Sequence, residues 1–197
     1  VLADLPEKLE SVVYASLEGE QRKLYDACEQ LLRERLTEQK RVKGGRGRAV
    51  PTTPEARAAT ATAAAAGDDF TKRRVEILAE ITKLRQICCD PALLYEDYSG
   101  PAVKLQIIAD LVESAHEAGE KVLVFSQFTG FLSLIGEQLD LRKIAHYAIT
   151  GATPKRKRLE LVNAFNEDAT PAFLISLKAG GTGLNLTGAS VVIHADP

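Results

Sequence analysis

Two apolar runs near the end of the chain, Ala172 to Leu177 and Val191 to Ile193, show no polar alternation, which is the pattern of strands buried on both faces of a parallel sheet. Between them lies Lys178-Ala179-Gly180-Gly181-Thr182-Gly183-Leu184-Asn185. Three glycines in four positions let the backbone take φ > 0 and remove the side chains that would keep a phosphate or sugar at a distance. A loop at a strand's carboxyl end stands where open α/β sheets bind ligands, although a tight turn with no ligand uses the same residues. Upstream, Val122 to Phe125 and Ile144 to Ile149 read as strands. Val103 to Ala115, Phe131 to Leu139 and Pro154 to Phe165 read as helices with one apolar face. Ser99-Gly100-Pro101 is a start signal for the first helix and Gly119 its stop; Thr153 starts the last. Four strands interleaved with three helices predict an α/β fold with a parallel, doubly wound sheet from residue 99 onward.

The first half is patterned differently. Leu9 to Leu17 alternates roughly and predicts a short strand closed by Gly19. Leu24, Cys28, Leu31, Leu32 and Leu36 then recur at helical spacing. A second stripe, Ile77 or Leu78, Ile81, Leu84 and Cys88, ends at Asp90-Pro91. The two helices predict an antiparallel helical projection within residues 1–98. Residues 40–69 carry glycines, prolines and an Ala-rich tract without an apolar stripe, so they predict a mobile insertion whose Ala-rich half has helical propensity. Arg41, Lys43, Arg46 and Arg48 there suit either a solvated charge run or a phosphate-contacting arm.

Composition narrows the picture only a little. The 197 residues carry Lys+Arg 25 against Asp+Glu 27, so any nucleic-acid surface must be local. Cys28, Cys88 and Cys89 lack disulfide or zinc spacing, which predicts reduced thiols in a cytoplasmic or, in a nucleated cell, nuclear protein. No run reaches the length of a membrane span, so no membrane partner is expected. His116, His146 and His194 fall on separate elements with no carboxylate or Cys beside them, and read as structural.

Ser126-Gln127-Phe128-Thr129 ends one strand with small polar groups at a helix start, where Thr129 serves either as N-cap or in a phosphate site. Gly151-Ala152-Thr153-Pro154 leads into Lys155-Arg156-Lys157-Arg158. Four basic residues oppose the helix dipole there unless an anion neutralises them.

In order and spacing, ITKLRQICCDPALL, KVLVFSQFT, ITGATPKRKRLELVNAFN and SLKAGGTGLNLTGAS followed by HADP resemble blocks of the Swi/Snf ATPases, the duplex-DNA translocases of helicase superfamily two. LPEKLESVVYASLEGEQRKLYDA extends the likeness over nearly the whole chain except about residues 38–70. The resemblance implies a second RecA-like lobe over 99–197, with the helical protrusion and linker in 1–98. It implies DNA-backbone contacts from Ser126, Gln127, Gly151, Thr153, Arg158, Lys178, Ala179, Gly180 and Gly181, with Gly183 and Asn185 turned towards the nucleotide. Leu177 stands where many relatives carry Thr, which removes a hydroxyl contact there. The implied partners are double-stranded DNA, the first RecA-like lobe and DNA-bound proteins; the implied cofactors are ATP and Mg. No GxxxxGK[ST] is present, nor an acidic strand-end pair for Mg, and the family's final arginine motif has no counterpart. These residues alone are therefore expected to have no catalytic residues of their own and no metal site, and not to hydrolyse ATP. The rival expectation from a different class is a stand-alone α/β regulatory or interaction domain.

Overall fold

Residues 9–44, 59–180 and 183–196 are described by a computed structural model of the chain. The helical half consists of α1 (Gly19–Gly44) and α2 (Ala59–Cys89), which pack against each other, followed by one 3-10 turn (Pro91–Leu93). Both helices run further than the apolar stripes predict. α1 continues to Gly44 and α2 begins at Ala59, so the ends of the predicted insertion are helical, in keeping with the high helix propensity of alanine. The middle of that insertion, 45–58, lies outside the described residues.

The predicted strand at Leu9 to Leu17 is not formed. This segment has no regular structure, and Leu9 and Tyr14 are 90% and 87% exposed. A strand is held by ladder bonds to a neighbour, and no described strand lies beside this one. Alternation alone cannot supply that partner.

Where α2 ends, a local rule creates a long-range contact. The carbonyl of Ile87 would accept from the N–H of residue 91, but that residue is Pro91 and has none. Gln21, fully buried on α1, donates its Nε2 to Ile87 O at 2.8 Å and fills the gap. Gln21→Ala should cost about 1–3 kcal/mol, because it strands a buried acceptor. A lowered urea midpoint at unchanged m-value would show this, and an unchanged midpoint would refute it.

Four strands, β1 (Val122–Ser126), β2 (His146–Ile149), β3 (Ala172–Ser176) and β4 (Val191–His194), form one parallel sheet in the order β2-β3-β1-β4. Strand periodicity of two sorts the central side chains. Val122 and Val124 of β1, with Ala172 and Leu174 of β3, meet α3 (Val103–Glu117) and α4 (Thr129–Leu141) on one face, where Cys89 joins the same core. Leu123, Phe173 and Ile175 meet Val162 and Phe165 of α5 (Lys155–Glu167) and Ala179 of a single turn, α6 (Leu177–Gly180), on the other. The doubly covered, RecA-like α/β sheet is therefore as expected. β4 corrects one detail: it lies at an edge and Val192 is 52% exposed, so its apolar run is not buried on both faces.

The helix ends depart from prediction in two ways. α3 starts at Val103, with Ala102 at the N-cap and no side-chain cap, rather than at Ser99-Gly100-Pro101. It stops as predicted: Gly119 takes φ 78, Glu120 N–H donates to Ala115 O and Gly119 N–H to His116 O, which is a Schellman arrangement. α4 ends in the same pattern, but with Lys143 at φ 60 in place of a glycine. Lys143→Gly should consequently be neutral to stabilising by up to about 1 kcal/mol, since relief of the left-handed strain is partly offset by greater unfolded-state entropy. A clear fall in thermal midpoint would contradict this.

Candidate nucleic-acid interface

Because the strands are parallel, their carboxyl ends lie along one edge, and the loops after β2, β3, β1 and β4 follow one another in that order. The β2–α5 loop is internally braced. Thr150 N–H donates to Thr153 Oγ1 at 3.0 Å and Thr153 N–H to Thr150 O at 3.1 Å. Arg158, from the first turn of α5, folds back so that Nε donates to Thr153 O at 2.8 Å and Nη2 to Gly151 O at 3.0 Å. Pro154, not Thr153, occupies the N-cap, because the Thr153 hydroxyl is already turned back to Thr150. Arg156 and Lys157 share Glu160 at 3.2 and 3.6 Å, so their charge is partly balanced within the helix.

After β3, Lys178 is exposed and passes beside Gly151, where an added Cβ would lie 3.7 Å from Lys178 Cδ. Two of the predicted backbone-contacting loops thus adjoin. Ala179 is fully buried in the α5-side core and presents no surface at the edge. Gly180 sits in a helical turn rather than at φ > 0. Its need for glycine is steric, since a Cβ would come within 3.0 Å of the Phe125 ring. Gly181 lies outside the described residues. Gly183 has φ 67 with open space around it, as a glycine turn requires. Asn185 is carried away from this edge, with its carbonyl accepting from Asn166 Nδ2 near the C-terminal end of α5 at 2.9 Å.

The β1–α4 loop is held by Ser126 and by two residues not foreseen from the sequence, Arg85 and Asp196. Ser126, wholly buried, accepts the Phe128 N–H on Oγ at 3.0 Å, and Phe128 rather than Thr129 stands at the N-cap of α4. Gln127 N–H donates to both carboxylate oxygens of buried Asp196, at 3.1 and 3.0 Å. Gln127 Oε1 accepts from Arg85 of α2 at 3.2 Å. Arg85 and Asp196 fall inside quoted motif blocks, but nothing in their spacing links them.

Two of the histidines have contacts that the sequence does not reveal: His194 stacks on Phe125, and His146 Nδ1 lies 3.6 Å from Asp140, which corrects the expectation that no carboxylate stands beside it. Burial pushes the Cys89 thiol up to about 12, so it is no nucleophile at neutral pH. All three cysteines are free. Asp168, which closes α5, is held below the usual carboxylate range by the Tyr147 hydroxyl donating at 2.6 Å. Among the described residues no group of three or more His, Cys, Asp or Glu could hold a metal ion. The chain contains no GxxxxGK[ST] motif. Among the described residues no helix is long and apolar enough to cross a membrane.

The sheet order and its loop-lined edge define a class, parallel α/β domains that take ligands at the carboxyl ends of their strands. The family described as the helicase conserved C-terminal domain matches residues 103–197. The chain is similar to the Sulfolobus solfataricus SWI2/SNF2 ATPase C-terminal domain, with a TM-score of 0.73 and 25% identity over 96% of this chain and 72% of that one. It is equally similar to the ATPase core from the same organism solved in complex with double-stranded DNA, with a TM-score of 0.74 and 25% identity over 99% and 36%. Among curated relatives, the putative ATP-dependent helicase/translocase YwqA of Bacillus subtilis (strain 168) is 30% identical over 203 residues, covering 100% of this chain and 19% of YwqA. The chain belongs to the Swi/Snf family of helicase superfamily two and forms its RecA-like C-terminal lobe. It spans about a fifth of the length of the relative just named.

Proposed function

We propose that this chain works within an ATP-dependent motor that moves along double-stranded DNA and remodels protein–DNA complexes, where it supplies part of the phosphate track and one wall of the nucleotide cleft. The observation that carries this reading is the sheet edge itself. Gly151, Thr153, Arg158, Lys178 and Gly180 converge there from adjacent strands, in a likeness to a core solved on duplex DNA. Backbone amides, a hydroxyl and cations suit phosphate contacts that are indifferent to sequence, which is what a translocating surface needs. In this reading residues 1–98 are a helical protrusion and linker and 99–197 the lobe, and Gly183 faces the nucleotide while Asn185, tied to the far end of α5, does not. ATP and magnesium are held chiefly by a partner RecA-like lobe, in a cytoplasmic or nuclear setting. Closure and opening between lobes would convert nucleotide turnover into steps.

Titrating the chain into fluorescent duplexes of unrelated sequence tests the track. The expected result is weak binding, with a Kd of roughly 10⁻⁴ to 10⁻⁶ M, indifferent to sequence and loosening as salt rises. No ATP turnover should accompany it, with or without DNA. Absence of binding at 50 mM salt, or ATP hydrolysis by the chain alone, would overturn the proposal.

A further inference from the structure

Arg85 reaches from α2 to the carboxyl edge of the sheet. Its Nη1 donates to Gln127 Oε1 at 3.2 Å, and Nη2 lies 3.4 Å from the carbonyl of Asp196, a residue 111 positions away. The guanidinium lies 6.0 Å from the centre of the Phe128 ring, within reach of a cation–π attraction. Asp196 follows β4 and is only 6% exposed, yet both its carboxylate oxygens are directed at a single backbone N–H, that of Gln127. Burying a carboxylate is costly unless charge-assisted bonds offset it, and plain packing of the loop would not require one. Backbone and side chain of Gln127 are therefore gripped from two directions, by the end of β4 and by the helical protrusion. With Oε1 turned to Arg85, the amide's NH₂ donors face away from it, free to meet an acceptor.

We propose that Arg85 and Asp196 are positioning residues for the β1–α4 loop, a latch that holds Gln127 as a phosphate donor and ties the orientation of α2 to that loop. The consequence for DNA rests on the reading given under Proposed function; the latch itself does not. α2 is bound to α1 on one side and grips Gln127 on the other, so a force that tilts the protrusion is transmitted to the track through Arg85. The sign of one effect separates this from simple electrostatics. Removing the negative charge of Asp196 should tighten binding to a polyanion if charge alone matters. The latch predicts that binding weakens.

Amide hydrogen exchange and duplex titration on the full chain test the latch, using Arg85→Ala, Arg85→Lys, Asp196→Ala and the near-isosteric, fold-sparing Asp196→Asn. In Arg85→Ala and Asp196→Ala, exchange at Gln127 and Phe128 should rise about tenfold or more while amides within β1 and β3 keep their protection. Duplex affinity should fall roughly two- to tenfold at every salt concentration, with the salt slope unchanged because the weakened contact, from neutral Gln127, releases no counterion and neither Arg85 nor Asp196 neutralises a phosphate. Asp196→Asn keeps one acceptor and should lie between, still no tighter than the unsubstituted chain. Arg85→Lys keeps the charge without the fork and should restore only part of the protection. Unchanged exchange at Gln127, a uniform loss of protection across the sheet, or tighter DNA binding by either Asp196 variant would overturn the latch. If the unsubstituted chain binds no duplex, the phosphate reading fails, and exchange at Gln127 alone then decides: local release supports the latch and unaltered or global exchange overturns it.

Discussion

Arg158→Ala is expected to weaken duplex binding several-fold and to flatten the slope of log K against log salt by roughly one contact. Two losses combine. The cation goes, and so does the brace, because Arg158 donates to the carbonyls of Thr153 and Gly151 at 2.8 and 3.0 Å. A guanidinium has five N–H donors, so two bonds to the loop leave others for an anion. Arg158→Lys separates the two roles, since it returns the charge but not the planar fork, and should recover the salt slope more fully than the affinity. Lys178→Ala is the control for charge without bracing. Lys178 is exposed beside Gly151, so its loss should lower the slope by about one and leave thermal stability unchanged. If both alanine variants keep the affinity and slope of the unsubstituted chain, the edge is a set of turns and not a track.

Phe173→Ala should cause the largest loss of stability, about 3–5 kcal/mol. Phe173 is fully buried on β3, with the Phe165 ring centred 5.1 Å away and the Tyr147 ring meeting it edge-on at 5.9 Å. It is the point at which α5 seats on the sheet, so the cavity left by alanine is bordered by rings that cannot collapse into it. A domain with about 5–15 kcal/mol of total stability loses much of its margin to one such change. The urea midpoint should drop accordingly, and duplex binding should suffer in proportion to the unfolded fraction. Leu111→Ala, at a position 39% exposed, is the comparison and should cost far less. A Phe173→Ala cost below about 1 kcal/mol would mean that the α5 side of the sheet is loosely packed.

The elements most legible in the sequence are those whose burial pattern is complete within themselves. β1 and β3 are continuous apolar runs because both their faces are covered, and α4 and α5 carry apolar faces opposite polar ones. Asp90-Pro91 ends α2 and Gly119 ends α3 for reasons that act within a few residues. Parallel topology followed from strands alternating with helices, and with it the placement of the loops bearing Gly151, Lys178 and Gln127 along one edge.

What the local pattern could not decide was whatever depends on a neighbour distant in the chain. Leu9 to Leu17 alternates like a strand but lacks a ladder partner among the described residues, and Val191 to Ile193 is apolar yet lies at an edge. The brace of Arg158 on its loop, the seat of Gly180 against Phe125 and the descent of Asn185 along α5 depend on backbone paths that composition does not encode. Gln21 is needed at Ile87 because Pro91 withholds a donor, and that carbonyl is 66 positions from Gln21. Asp196 and Arg85 meet at Gln127 only once β4 has joined β1 and α2 has docked at the sheet edge. Hydrophobic periodicity determined the elements, since each residue's preference for water or core is local. The tertiary structure decided which polar groups face one another, because a hydrogen bond or ion pair exists only when the fold brings both partners within about 3 Å.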